Sequence, residues 1–103
     1  MSDKLYEVVI SERAMTMLLT HVRFLAQVSV TAARKLKELV IDEIKKLEYM
    51  PESYSWFVSE YVPANKYRKM LVGKRYLVIY QVSENSVFVD YILDCRQDYQ
   101  WLR

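Results

Sequence analysis

Cysteine, glycine, proline and histidine are nearly missing from this 103-residue chain, which has one Cys, one Gly, two Pro and one His. A lone cysteine rules out an intrachain disulfide and a cysteine-rich metal cage, and it suits a reducing compartment. A lone glycine cannot build a phosphate-cradling loop or the strained turn that presents a serine nucleophile. A lone histidine, His21, gives a catalytic triad or metal site nothing to pair with, so His21 and Cys95 read as structural side chains. No apolar run approaches the about 18 residues of a membrane-spanning helix. Met1-Ser2-Asp3-Lys4 leads straight into Leu5-Tyr6-Glu7-Val8-Val9-Ile10, unlike a secretory leader. The expectation is a cytoplasmic protein with no membrane association, no metal and no cofactor.

What is there is a folded chain. Hydrophobic residues make up 52% and charged residues 27% of it, a globular balance. The length is that of one domain, residues 1–103, with short loops because turn-forming residues are scarce. Net charge is only +2, but it is unevenly spread. Residues 1–63 hold eight Lys/Arg and nine Asp/Glu, whereas residues 64–103 hold seven and four. Lys66, Arg68, Lys69, Lys74 and Arg75 fall in ten residues without an acid. Aromatics reach 14%, with nine Tyr.

Periodicity sets the order of elements. Residues 5–10, rich in Val and Ile, predict a strand. Ser11 fits a helix N-cap with Glu12 at the positive end. Met15, Leu18, Val22 and Leu25 then recur at steps of three and four through about residue 28. Val28-Ser29-Val30-Thr31 interrupts that pattern. A second helix follows over about residues 32–49, with Ala33, Leu36, Val40, Ile44 and Leu47 on one face. Pro51 stops it. Beyond Pro51 the period shifts towards two, predicting strands at 54–62, 66–72, 76–82 and 86–93. Val72-Gly73-Lys74-Arg75 is a hairpin turn and Ser83-Glu84-Asn85 a polar one. The fold class is α+β: an N-terminal strand and an antiparallel helical hairpin packed on a mainly antiparallel curved sheet. Strict alternation puts Val87, Val89, Tyr91 and Leu93 on one face of the last strand, and Phe88, Asp90, Ile92 and Asp94 on the other. Asp90 in such a strand needs a partner, most simply a basic neighbour, and a catalytic carboxylate is the alternative.

The remaining chemistry is cationic and phenolic. Lys66, Arg68, Lys69, Lys74, Arg75, Arg96 and Arg103 interleave with Tyr67, Tyr76, Tyr99 and Trp101. Such a set can grip phosphates while rings stack on bases. It can also cleave RNA without a metal, with guanidinium stabilising phosphoryl charge as the 2′-hydroxyl attacks. A passive solvated strand face is the plain alternative.

Tyr67-Arg68-Lys69-Met70-Leu71-Val72, a turn, Arg75-Tyr76-Leu77-Val78-Ile79-Tyr80-Gln81-Val82, a further strand and Asp94-Cys95-Arg96-Gln97-Asp98-Tyr99 together resemble the RelE/ParE superfamily of bacterial type II toxins. The resemblance covers nearly the whole chain. It implies a toxin held inactive in a hetero-oligomer with a cognate antitoxin. Two activities follow from it. RelE-like members are endoribonucleases that cut mRNA on the ribosome, whereas ParE-like members poison DNA gyrase. A degenerate toxin that only binds its antitoxin is a third reading. The basic-aromatic strand and tail favour the nuclease. In that reading Arg68, Arg75, Arg96 and Tyr99 are catalytic, while Lys66, Lys69, Lys74 and Trp101 bind RNA. The resemblance also implies an arginine where this chain has Leu77, with Arg75 nearby as its substitute.

Overall fold

The structure is a computed structural model and describes residues 5–95. Its elements are β1 (Glu7–Ile10), α1 (Glu12–Ala26), α2 (Val30–Lys45), β2 (Arg68–Val72), β3 (Tyr76–Ser83) and β4 (Ser86–Asp94), with 3-10 turns at Lys46–Glu48 and Pro51–Ser53. The sheet order is β1-β4-β3-β2. β1 runs parallel to β4, and the other neighbours are antiparallel. Two helices on a four-stranded mixed sheet make an α+β fold, as the sequence implies.

The helix starts follow from two serines. Ser11 accepts from the Ala14 amide at 3.0 Å and Ser29 from the Ala32 amide at 3.1 Å, each satisfying an amide that has no partner within its helix. α2 therefore begins at Val30, two residues before the sequence expectation of 32. The branched Val30 and Thr31 sit in the first turn, where no preceding helical turn crowds them. The apolar stripes of both helices meet one face of the sheet. Leu18, Leu36, Val40 and Ile44 pack with Met70, Val72, Tyr76, Val78, Tyr80, Val87, Val89 and Ile92.

The other sheet face is covered differently. Phe57 and Tyr67 bury against Leu77, Ile79 and Leu93. They belong to the chain between Pro51–Ser53 and β2, where the sequence predicts a strand over 54–62. That strand does not form. This chain touches the free edge of β2 through a single bridge, Trp56 to Arg68, with Phe57 N–H donating to Tyr67 O (2.7 Å) and Lys69 N–H to Ser55 O (3.0 Å). It then departs, leaving Val58 83% and Tyr61 68% exposed. A period of two in sequence needs a continuous partner edge to become a strand, and none is offered past Trp56.

A second correction concerns β4. Ile79 aligns with Tyr91 but Tyr80 with Val89, so Asp90 is an extra residue in a β-bulge. The bulge reverses the alternation. Val87, Val89 and Ile92 face the helices, and Tyr91 and Leu93 face away.

Candidate functional site

Two recesses lie on opposite sides of the sheet. The larger, about 530 Å³, opens between residues 53–58 and the β2–β3 hairpin, and is lined by Tyr54, Phe57, Val58, Lys69, Leu71, Leu77 and Cys95 with Ser53 and Ser55. Alternation along β2 turns Lys69 and Leu71 towards it, while Met70 and Val72 enter the helix-side core. Its floor is apolar: Phe57 is 4% and Leu77 6% exposed. The smaller recess, about 110 Å³, lies on the helix side between Phe24, Leu25 and Val28 of the helical hairpin and Arg75, Tyr76 and Asp94, with His21 beside them.

The turn between β2 and β3 places Arg75 at the smaller recess. Gly73 and Lys74 both have φ of 61°, and the Arg75 amide closes the turn on Val72 O at 3.2 Å. Glycine takes this left-handed backbone without strain, and Lys74 is exposed at the apex. Arg75 grips Asp94 with Nε at 3.1 and 3.2 Å from the two carboxylate oxygens and Nη2 at 2.8 Å from Oδ2. Asp94 is 1% exposed. The hydrogen bonds to Asp94 raise the Arg75 pKa above its usual range, so the guanidinium is a fixed cation with its fork already filled.

The other cations of the basic stretch are dispersed. Arg68 stacks its guanidinium 3.7 Å over Trp56 and donates from Nη1 to the Tyr54 carbonyl at 2.6 Å. Nearby, the Tyr80 hydroxyl donates to Pro51 O at 2.6 Å, and burial pushes its pKa up. Lys66 lies 5.3 Å over the Tyr67 ring. Lys69 alone among these cations lines the larger groove. Neither of the two recesses is lined by more than one of Lys66, Arg68, Lys69, Lys74 and Arg75. The sequence-predicted Arg96, Tyr99 and Trp101, like Arg103, lie outside the described residues.

Asp90 has partners other than the basic neighbour expected of it. Its Oδ2 accepts from Tyr67 Oη at 3.0 Å and from Gln81 Nε2 at 2.8 Å. Burial first, then the bond to Asp90, pushes the Tyr67 hydroxyl up to about 12. The acid that meets an arginine is Asp94, which pairs with Tyr76 across the hairpin register and so lies beside Arg75. Sequence reasoning missed that pair, and also Trp56 and Tyr54 as the seat of Arg68. The one available sign was an acid closing an apolar strand opposite a turn arginine. Among the described residues no cluster of His, Cys, Asp and Glu is placed to hold a metal ion, and no helix is long and apolar enough to cross a membrane.

Comparison with known proteins adds to this geometry. Residues 8–99 match the family model described as the ParE toxin of type II toxin–antitoxin system, parDE. Among solved structures, one from the chromosomal ParDE toxin–antitoxin system of P. aeruginosa superposes with a TM-score of 0.73 at 14% identity, covering 88% of this chain and 97% of that one. At that identity the likeness concerns the fold. No curated protein sequence matches significantly. The family match spans both helices, all but the first residue of the sheet and the two recesses, and on it the chain belongs to the ParE toxin family of type II toxin–antitoxin systems.

Proposed function

We propose that this toxin acts by occupying a protein surface of DNA gyrase and does not cut RNA. The observation that carries the reading is Leu77. It lies in the floor of the larger groove, 6% exposed, where the RelE-like resemblance implies a phosphate-binding arginine. Arg75, its nearest substitute, is on the helix side of the sheet with its fork on Asp94. Metal-free RNA cleavage needs cations and a proton carrier around one phosphate, within hydrogen-bond reach. Among the described residues the groove has one cation, Lys69, over an apolar floor. An apolar floor with a single charge at its edge suits the side chains of a protein partner better than a sugar–phosphate backbone.

Membership of a type II system implies a cognate antitoxin, so toxin action is read in its absence. Expression of the toxin alone in bacteria tests the proposal. The expected result is filamentation with induction of the DNA-damage response while bulk translation continues. Rapid translation arrest with mRNA broken in the ribosomal A site would overturn it and restore the nuclease reading.

A further inference from the structure

The helical-hairpin tip is a second surface that the groove does not explain. Between Glu12 and Glu38 the sequence has no acid. Arg23 is in the last turn of α1 and Arg34, Lys35 and Lys37 are in the first half of α2, whereas Arg13 starts α1 and stacks on Tyr91 instead. At the tip of the hairpin, Phe24 is 59%, Val28 82% and Val30 67% exposed. Val30, Arg34 and Lys37 are spaced at i, i+4 and i+7, so they form one stripe along α2, and all three are exposed. Phe24 and Val28 also form one wall of the smaller recess, whose opposite wall is Arg75 and Tyr76. Gly73 itself sits against a point further along α2, where a Cβ would stand 3.5 Å from Leu39. Among the described residues the one acid lining the recess is Asp94, 1% exposed and gripped by Arg75. Apolar side chains, a rim of one charge sign and a cavity the size of one aliphatic side chain are thus gathered at one end.

We propose that this end, centred on Phe24, Val28, Val30 and Arg34, is the surface that docks on the toxin's target, and that it takes a protein surface presenting carboxylates around one projecting apolar side chain. The inference rests on the gyrase reading above and names the part of the toxin that makes the contact. Charge complementarity selects the occupant: the cations Arg23, Arg34, Lys35 and Lys37 attract carboxylates and repel basic surfaces. The recess selects a protein over a lipid surface, because a pocket that admits one side chain is how an interface anchor is held. The exposed Phe24, Val28 and Val30 select it over duplex DNA, whose phosphates offer them nothing.

The test measures binding of purified gyrase to the wild-type toxin and to Val28→Asp and Arg34→Glu, with Lys45→Glu as a matched charge change near the far end of α2. Circular dichroism checks each fold. Both tip variants alter exposed side chains, so folding should persist. The proposal expects each tip variant to bind gyrase about tenfold or more weakly, and Lys45→Glu to bind as wild type. Duplex DNA alone and vesicles of phosphatidylglycerol serve as the other occupants. Gyrase binding unchanged in both folded tip variants would overturn the docking surface and leave the gyrase reading standing. Wild-type binding to DNA or vesicles that the tip variants abolish, with gyrase binding intact, would assign the tip to those ligands instead. Failure of the wild type to bind gyrase would remove both readings.

Discussion

The two faces of the sheet are built from the same strands by different means. The helix-covered face is closed by two capped helices whose stripes interlock with Val78, Tyr80, Val87 and Val89, each 0% exposed. The opposite face is covered by irregular chain that buries Phe57 and Tyr67 and leaves a groove beside them. Regular elements fill space on one side and leave a concave surface on the other. The helix-covered face holds the larger cluster of buried side chains, and the second face holds the larger of the two recesses.

The largest effect expected from breaking this contrast is on the helix side. Leu18→Ala removes a side chain that is 0% exposed between α1 and the sheet, and should cost about 3 kcal/mol. Phe57→Ala, from the irregular cover, should cost about 2 kcal/mol, because irregular chain can settle into the vacated space. Urea unfolding of the two variants checks the order, and a larger loss for Phe57→Ala would reverse the comparison. Asp94→Ala sharpens it. The change strips Arg75 of its carboxylate, but the Arg75 side chain is 32% exposed and water can solvate it. The expected loss is about 2 kcal/mol, less than for a fully buried pair.

Alkaline pH separates the faces more gently. The Tyr67 hydroxyl is pushed up to about 12 from an ordinary value of 10.0. The folded protein holds that proton more tightly than the unfolded chain does. Its stability is therefore full below pH 10 and declines as pH rises from 10 towards 12. Tyr80, raised by burial on the helix side, pulls in the same direction. Tyr67→Phe should make the decline shallower, as thermal melts between pH 9 and about 11.5 would record. A decline of unchanged slope would show that the folded protein does not hold the Tyr67 proton more tightly than the unfolded chain. The smallest effect is expected at Leu71, which is 57% exposed at the groove. Leu71→Ser should alter stability by about 0.5 kcal/mol or less.

The helix-covered face was legible in the sequence because its signals are local. Leu18, Leu36, Val40 and Ile44 show the helical period, Ser11 marks the first start, and the apolar run of β3 announces a central strand. The second start, capped by Ser29, falls two residues before the expected one. The other face depends on partners that are distant in the chain. Residues 54–62 alternate as a strand does, yet the edge of β2 accepts only Trp56. Nothing local marks Asp90 as a bulge, because an extra residue is defined by the strand opposite. Arg75 and Asp94 are 19 residues apart and meet only through hairpin register. The five cations of residues 66–75 looked like one site since they are neighbours in sequence. Alternation, a turn and two ring stacks send their side chains to different places on the sheet.

One measurement bears most directly on the claim that this toxin works by contact with a protein. Purified toxin is titrated into a gyrase supercoiling reaction with relaxed plasmid, ATP and no ribosomes. The account predicts dose-dependent loss of supercoiling that added antitoxin reverses. Undiminished supercoiling at toxin concentrations well above that of gyrase would contradict it.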